Sequence, residues 1–368
     1  MNLELTDEQQ ALREAATGAL ARVSDYEVLR DVIEGGTRPE HWSLVAEQGW
    51  AGLLVSEANG GIELSLFDAM LILIETGKVL APHELLGHLP ATTLLDAASY
   101  DGTADYAEGT KRAAFLAARP PGDIDDTWTV EARSGSARAA APTLNADGTV
   151  SGELAWVVDA PGADLLVGVA VDASGTAKTV AIETGASGVS IEGPVMRYDP
   201  SRLIGHVSLS NAPATVLEGA DPARAWFVVQ ALLAAESYGA VDTALTVSVA
   251  YAKERFTFGR PIGSYQAMKH GLVEILRQRE NAYAVMLYAG WSYEDKPEEF
   301  ALAASAARTA AGHALDFAAR QQIATHGGIG ATWEHDAPLF FRRSQLSRRL
   351  LGGIGDSTDR VAGELLAA

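Results

Sequence analysis

The chain has 368 residues, of which 48% are hydrophobic, and this is enough for more than one core. Its formal net charge of −20 repels polyanions, which excludes nucleic acid and anionic membranes as partners. It contains no cysteine, which excludes disulfides, thiolate nucleophiles and cysteine-ligated metals, and we predict no metal site.

The N-terminal residues MNLELTDEQQ are acidic and lack the apolar core of a secretory leader. Apolar runs such as WFVVQALLAA are well short of the roughly 20 residues that span a bilayer. We therefore expect a cytoplasmic protein.

Residues 1–112 carry helical patterns and are predicted to form an N-terminal α-helical domain. Thr6 precedes Asp7, Glu8 and Gln9, a pattern typical of a capping box at a helix start. The run FDAMLILIETGKVL predicts a further helix, which the turn at 59–61 separates from the preceding segment.

Residues 113–219 contain short β-branched runs, among them LAWVV, DLLVGVAV, KTVAIE and HVSLS. Turn signals such as Asp147-Gly148 lie between them. This spacing predicts a middle domain that is a small antiparallel β-barrel or sandwich.

Residues 220–368 are predicted to form a C-terminal helical bundle. Asp221 is a good N-cap, with Pro222 at the first helical position of a helix that runs to about Phe256. Further helices are predicted from Ser264, over 297–325, over APLFFRRSQLSRRLL, and after Asp356 as N-cap. The fold class is therefore α+β, with an N-terminal helical domain, a middle β domain and a C-terminal bundle.

Two motifs stand out in the C-terminal segment. The string YAKERFTFGRPIGSYQAMKH begins at Tyr251, and the string HGGIGATWEHD begins at His326. They resemble the RxxFGxPIxxxQ and HGGIGxTWEHD stretches of the acyl-CoA dehydrogenase family. That family also has a helical domain, a β-barrel domain and a four-helix bundle in this order, so the resemblance covers the whole chain.

The chemistry of these residues agrees with a nucleotide cofactor. Arg255 can offer a bidentate fork to a pyrophosphate, and Phe258 can stack beside an adenine or flavin ring. Gln266 can donate and accept hydrogen bonds on a ribose or adenine edge. The glycines of the second motif let the backbone approach a cofactor closely. The alternative is that both glycine-containing segments simply end helices.

The resemblance implies FAD as cofactor, an acyl-CoA substrate and an electron-transfer flavoprotein or similar acceptor. In the family the two segments cross a dimer interface and hold the adenosine end of a neighbour's FAD. Many relatives carry a glutamine where this chain has Ala324. The implied cofactor-binding residues are Arg255, Phe258, Gln266, His326, Gly327, Gly328, Gly330 and Trp156.

The family's reaction requires a carboxylate that removes the α-proton of the thioester. Most relatives carry this glutamate at the position that Gly352 occupies here, and a minority at the position of Val229. Glu236 lies seven residues after Val229, near the same helical face, and is the carboxylate candidate there. The alternative is a hydrogen-bonded structural glutamate on a buried helix.

The middle segment also departs from the family pattern. Relatives begin it with a threonine-glutamate-proline-glycine loop at the flavin, where this chain has AARPPG at 117–122. Val158 replaces a threonine that meets the flavin edge in relatives. Trp156 either covers the flavin or is a core tryptophan.

The losses therefore concern the flavin-ring and substrate side, and the adenosine side is retained. In this the chain resembles the small, degenerate chain of α2β2 bacterial acyl-CoA dehydrogenases of steroid side-chain degradation. It would lend adenosine contacts to a catalytic partner chain. Two alternatives remain, a self-sufficient homomer that uses Glu236 as base and a structural relative that binds no flavin.

A basic patch on this acidic chain is not explained by the motifs. Its spacing places the residues on neighbouring helix faces, where they form either ion pairs or phosphate and CoA contacts. The patch consists of Arg342, Arg343, Arg348 and Arg349.

Overall fold

A computed structural model describes residues 4–117, 129–130, 138–139, 141–195 and 198–367. Helices come first in the chain, a curled sheet follows, and a second set of helices completes it. This is the predicted fold class. The helices before the sheet are α1 (Asp7–Leu20), α2 (Tyr26–Ile33), α3 (Trp42–Glu47), α4 (Leu66–Lys78), α5 (Leu85–Ala97) and α6 (Thr103–Ala107).

The capping box at the start of α1 is confirmed. The Thr6 hydroxyl accepts a hydrogen bond from the Gln9 amide at 3.1 Å, and the Gln9 side-chain oxygen accepts from the Thr6 amide at 3.1 Å. Ser65 and Asp68 form the same reciprocal pair at the start of α4. These local bonds satisfy amides that would otherwise lack partners, so both helix starts follow from neighbouring residues.

The strands of the middle segment are β1 (Ala113–Leu116), β2 (Thr129–Val130), β3 (Arg138–Ala139), β4 (Thr143–Leu144), β5 (Thr149–Val158), β6 (Leu165–Val171), β7 (Ala177–Glu183), β8 (Val189–Glu192), β9 (Ile204–Pro213) and β10 (Thr215–Val216). Eight of them form one sheet with the strand order β10-β7-β6-β4-β5-β9-β8, and β1 pairs with β6. Most pairings are antiparallel, but β1 and β4 both run parallel to β6. Strands β2 and β3 pair separately with each other. Residues 118–122 of the predicted flavin loop lie outside the described residues.

The C-terminal helices surround the long helix α7, which begins as predicted. Asp221 accepts a hydrogen bond from the Ala223 amide at 2.9 Å, and Pro222 occupies the first helical position. The helices are α7 (Pro222–Glu254), α8 (Gln266–Asp295), α9 (Pro297–His326), α10 (Ala337–Ser347) and α11 (Gly353–Ala367). A short hairpin, β11 (Phe256–Thr257) and β12 (Arg260–Pro261), joins α7 to α8.

Three predicted helix ends were wrong. Helix α8 begins at Gln266, because residues 262–264 form a 3-10 turn before it. Helix α10 ends at Ser347, because Leu351 and Gly352 adopt positive φ angles of 51° and 82°. Asp356 lies within the first turn of α11, so it is not the N-cap.

Helices α4 and α7 cross at two glycines. A Cβ atom at Gly77 would overlap the carbonyl oxygen of Glu236, and one at Gly239 would overlap the carbonyl oxygen of Ile74. The absence of side chains lets the two backbones touch, and this contact joins the first helical segment to the last.

The division of the chain at 112/113 and 219/220 stays a prediction. In the part of the chain that the structure describes, no helix has the length and apolar character to cross a membrane.

We predict that Gly239→Ala destabilises the chain by about 1–3 kcal/mol, because the added methyl group must push α4 away from α7. The matched control is Gly18→Ala in α1, where an added Cβ meets no atom within 4 Å. There we expect no loss and a gain of up to about 1 kcal/mol. Urea unfolding of each variant measures both effects, and equal stabilities for the two variants would contradict the packing argument.

Candidate functional site

The two sequence motifs meet at one end of the bundle. Tyr251, in the last turn of α7, packs its ring on His326 at the end of α9, with ring centroids 4.3 Å apart. Arg255 follows α7 directly and its backbone amide donates to the Tyr251 carbonyl at 2.8 Å. The carbonyl of Arg255 in turn accepts from the Ile262 amide at 2.8 Å, which closes the hairpin.

The predicted cofactor-binding side chains of the first motif face solvent. Arg255 and Gln266 are exposed, and the Gln266 amide lies 3.0 Å from the ring nitrogen Nε2 of His270. Phe258 is 94% exposed and has a positive φ of 49°. A bulky residue in this conformation is strained, and an aromatic ring displayed in water lacks the burial that aromatic rings normally gain. Both features point to a surface that another molecule covers.

The second motif supplies open backbone next to this surface. Gly327 has φ 65° and ψ −138°, a conformation essentially restricted to glycine, and a Cβ there or at Gly328 would meet no atom within 4 Å. Gly330 differs, because a Cβ there would lie 2.7 Å from the Cβ of His326 and from the carbonyl oxygen of Ile323. Gly327 and Gly328 thus offer accessible backbone, whereas Gly330 lets the loop fold onto α9.

His326 lies beneath the loop and does not face solvent. It is 6% exposed, its Nδ1 lies 2.8 Å from the Gln322 carbonyl oxygen, and its ring is stacked between those of Tyr251 and His335. Ala324 is exposed and Gln322 is buried, so Gln322 does not replace the glutamine that relatives place at 324. The direct cofactor contact of His326 stays a prediction.

Exposed apolar side chains lie on the same elements as the two motifs. They are Val247 on α7, Phe256 and Phe258 in the hairpin, Val273 and Leu276 on α8, and Ile329 after α9, each between 37% and 94% exposed. We use the name open face for these side chains together with the exposed motif residues Arg255, Gln266, Gly327 and Gly328. Exposed apolar side chains are available for contact with another molecule.

Glu236 has a different environment. It is 2% exposed, and its carboxylate forms ion pairs with Arg343 at 2.8 Å and with Arg202. Arg343 also pairs with Asp199 and donates to the Leu80 carbonyl at 2.9 Å. Two guanidinium groups and two carboxylates therefore balance one another, and we call Asp199, Arg202, Glu236 and Arg343 the inner ion cluster. A carboxylate held by two arginines is a weak proton acceptor.

The neighbours of the cluster reinforce this charge state. Burial and the guanidinium groups of Arg202 and Arg343 hold the pKa of His83 well below its usual value, so the imidazole is neutral. Burial alone would raise the pKa of Asp199, but Arg343 and the Ser201 hydroxyl lower it below its usual value. The Asp199 carboxyl is therefore ionised, and the histidine beside the cluster is neutral.

The two positions where relatives carry the base are neighbours here. The Gln230 side chain, one residue after Val229, donates to the Leu351 carbonyl at 3.0 Å, one residue before Gly352. Val229 is fully buried and Gly352 has no side chain. The buried Arg308 lies at the same turn and donates to the Leu350 carbonyl at 3.4 Å. Neither base position provides a group that can take a proton.

The tryptophan-valine-valine stretch lies at a bulge near the end of β5. Trp156 has a positive φ of 61°, is partly buried, and packs edge-on to the ring of His206 with centroids 4.8 Å apart. Val158 is 3% exposed and lies within the apolar core, next to α5. The following Asp159 accepts a hydrogen bond from the Gly87 amide of α5 at 2.7 Å. The methyl groups of Val158 are thus enclosed and do not line an open crevice.

The basic patch is divided between separate environments. Arg343 belongs to the inner ion cluster, and Arg348 pairs with Asp316 at 3.2 Å. Arg349 lies over the ring of Tyr198, 4.8 Å from its centroid. Arg342 is half-buried, and its Nε has no hydrogen-bond partner within the described residues.

Sequence reasoning missed the cluster partners Asp199, Arg202 and His83, because nothing in their local sequence connects them to Glu236.

Comparison with known proteins gives a consistent result. The model of the acyl-CoA dehydrogenase N-terminal domain matches residues 6–106, and that of the C-terminal domain matches residues 228–361. The acyl-CoA dehydrogenase IpdE2 of Mycobacterium tuberculosis is 32% identical over 98% of both chains. The Tcur3481–Tcur3483 steroid ACAD variant has a TM-score of 0.85 at 26% identity over 98% of both chains. The ChsE4–ChsE5 complex from Mycobacterium tuberculosis has the same fold, with a TM-score of 0.85 at 20% identity over the full length of both chains.

We predict that Glu236→Gln destabilises the chain by about 3–5 kcal/mol, because the neutral amide leaves Arg202 and Arg343 with one carboxylate between them in a buried site. Urea unfolding of the isolated chain measures the loss. The control is Glu153→Gln, an exposed glutamate that we expect to be neutral within about 0.5 kcal/mol.

The double variant Glu236→Gln with Arg202→Met tests the same charge balance. Removing one arginine restores equal numbers of positive and negative groups, so part of the stability should return. A single-variant loss below about 1 kcal/mol, or a double variant that is less stable by the sum of both changes, would refute the balanced cluster.

Proposed function

The chain belongs to the acyl-CoA dehydrogenase family, and from this premise we propose that it works as one chain of a heteromeric enzyme. The family uses FAD to dehydrogenate a CH–CH bond of an acyl-CoA. In our proposal this chain supplies the adenosine and pyrophosphate contacts of FAD, and a second acyl-CoA dehydrogenase-like chain supplies the flavin-ring pocket and the base.

One observation carries the proposal, namely the contrast between the open face and the inner ion cluster. The residues expected to contact adenosine and pyrophosphate are exposed together at one end of the bundle. The positions expected to contact the flavin ring and the α-proton are enclosed or lack a proton acceptor, as Val158, Gly352 and Glu236 illustrate. Two copies of this chain would build no complete site, whereas one copy and an intact relative would build one.

The residues present fit one half of FAD. Arg255 is an exposed cation without a carboxylate partner among the described residues, so its guanidinium group can donate to a pyrophosphate, and Gly327 and Gly328 leave backbone accessible at the same end of the bundle. Phe258 offers an exposed ring for stacking, and Gln266 offers an amide for a ribose or adenine edge. No part of the flavin-ring half has a comparable set among the described residues.

The chemistry divides in the same way between the chains. FAD, when bound, supplies the flavin that accepts a hydride from the β-carbon of the thioester. A carboxylate must remove the α-proton, and in this chain Glu236 is held by Arg202 and Arg343. The role of this chain is therefore to bind and orient, with proton removal assigned to the partner. This arrangement also argues against a self-sufficient homomer that uses Glu236 as base.

We propose a steroid side-chain acyl-CoA as the substrate class and an α2β2 assembly with two FAD molecules. The support is the 26% identical solved relative, which is named as a steroid ACAD and as a pair of chains, Tcur3481–Tcur3483. An electron-transfer flavoprotein or similar acceptor would reoxidise the flavin, as the family resemblance implies. The open face is the surface that the second chain would cover.

The test measures the flavin content and the native mass of two samples. The first is this chain alone, and the second is this chain co-expressed with a relative that retains the catalytic glutamate of the family. We expect this chain alone to be colourless, because the proposal assigns the flavin-ring pocket to the partner chain. We also expect it to be inactive, because the loss of a positioned base lowers the rate by roughly 100-fold or more. With the partner we expect an α2β2 mass by native mass spectrometry, two FAD per tetramer and dye reduction with an acyl-CoA. A homotetramer with four FAD, or turnover that Glu236→Gln abolishes, would overturn the proposal.

We predict that Arg255→Ala weakens FAD binding by the assembled pair about 10- to 100-fold, because a charge-assisted bidentate contact contributes about 1.5–3 kcal/mol. The melting temperature of the chain should not change, since Arg255 is exposed and lacks a carboxylate partner among its described contacts. FAD titration of the flavin-depleted pair gives the affinity. Arg22→Ala, at an arginine that follows α1 and is 58% accessible, is the control with unchanged affinity.

A further inference from the structure

The loop that follows α9 is held by a helix from the other end of the chain. Arg30 of α2 is 8% exposed, and its Nε donates to the Trp333 carbonyl at 3.0 Å. Its Nη2 donates to the Glu334 carbonyl at 3.4 Å and forms an ion pair with Asp336. One guanidinium group thus binds two consecutive carbonyls and the carboxylate just before α10.

A second contact joins the same two elements. The indole nitrogen of Trp333 donates to Glu34, the C-cap residue directly after α2. Tyr26, at the start of α2, packs its ring edge-on to Phe340 of α10, with centroids 5.9 Å apart. Helix α2 therefore contacts α10 through Tyr26 and the turn at 333–336 through Arg30, and Arg30 is the buried residue of that contact.

Three packed aromatic rings connect the turn at 333–336 to the glycine loop. His335, within the turn, lies on His326 with centroids 4.3 Å apart, and His326 lies on Tyr251 at the same separation. Gly327 follows His326 directly, and Arg255 lies one helical turn after Tyr251. A displacement of the turn at 333–336 would therefore shift both motifs that the open face displays.

From this arrangement we infer that Arg30 is a positioning residue for the adenosine contacts: it sets the geometry of the loop at 327–332 that the chain offers to the FAD of a second chain. The inference rests on the proposed function, and it deepens that proposal by assigning the control of the site to the first helical segment. The planar fork of an arginine can bind two carbonyls and a carboxylate at once, whereas a lysine ammonium can keep the charge pair but not the fork.

The experiment compares FAD affinity and melting temperature in Arg30→Lys and Arg30→Gln, each assembled with the partner chain. For Arg30→Lys we expect a near-normal melting temperature, because the ion pair with Asp336 is retained, but an affinity for FAD about 10-fold weaker. Arg30→Gln should lower both quantities. A merely structural role would move the two quantities together and would restore both in the lysine variant, which would overturn the inference.

Two further variants sharpen the test. Glu27→Gln removes the ion pair with Arg30 Nη1 at 2.6 Å, which lies outside the turn, and should leave FAD affinity unchanged. Trp333→Phe removes the donor to Glu34 inside the turn and should weaken FAD binding as Arg30→Lys does. Weakening by Glu27→Gln, or unchanged affinity in Trp333→Phe, would count against positioning through the turn.

The outcome for Arg255→Ala separates this inference from the proposed function. If Arg255→Ala weakens FAD binding and both Arg30 variants bind normally, only the role of Arg30 is lost. If Arg255→Ala also binds normally, the open face does not contact FAD and both proposals are overturned.

Discussion

The structure depends on a buried arginine, Arg343, that contacts all three parts of the chain. Its guanidinium group pairs with Glu236 of α7 and with Asp199 between β8 and β9, and it donates to the Leu80 carbonyl after α4. Arg202 adds a second positive charge to Glu236. Buried charges are tolerated only when they are paired and hydrogen-bonded, so these groups must stay together when the helices and the sheet are packed. The cluster therefore determines how the sheet is placed against both helical segments.

Close backbone contacts surround the cluster. Gly77 and Gly239 bring the backbones of α4 and α7 into contact directly beside Glu236. Val158 and Asp159, at the end of β5, close onto α5 through the Gly87 amide. Side chains and ion pairs of the chain itself thus meet at the junction of the three segments.

The opposite is true at the far end of the bundle. There the hairpin and the glycine loop display exposed phenylalanine rings, the exposed Arg255 side chain and accessible glycine backbone, and the histidine and tyrosine rings beneath them are packed. Exposed apolar area of this kind lowers stability in water, because the residues that the structure describes do not cover it. The contrast between this exposed end and the ion-paired junction is the basis of the proposed heteromer. The contact of α2 with the turn at 333–336 adds that this end is built from both helical segments of the chain.

Local sequence patterns determined the features that depend on neighbouring residues. The Thr6 capping box and the Asp221-Pro222 helix start are formed by hydrogen bonds within three residues, so they could be predicted from the sequence. The two motifs could also be recognised, since Arg255, Phe258 and the glycine loop keep their spacing, and the predicted fold class is the one observed.

Tertiary structure decided the rest. Glu236 was a candidate base until the fold brought Arg343, 107 residues away, into contact with it, and Arg343 had been visible only as a member of a basic patch. The same holds for Arg30 and Asp336, 306 residues apart. A carboxylate's protonation and an arginine's partners depend on groups that are close in space and distant in sequence, so no local pattern can specify them.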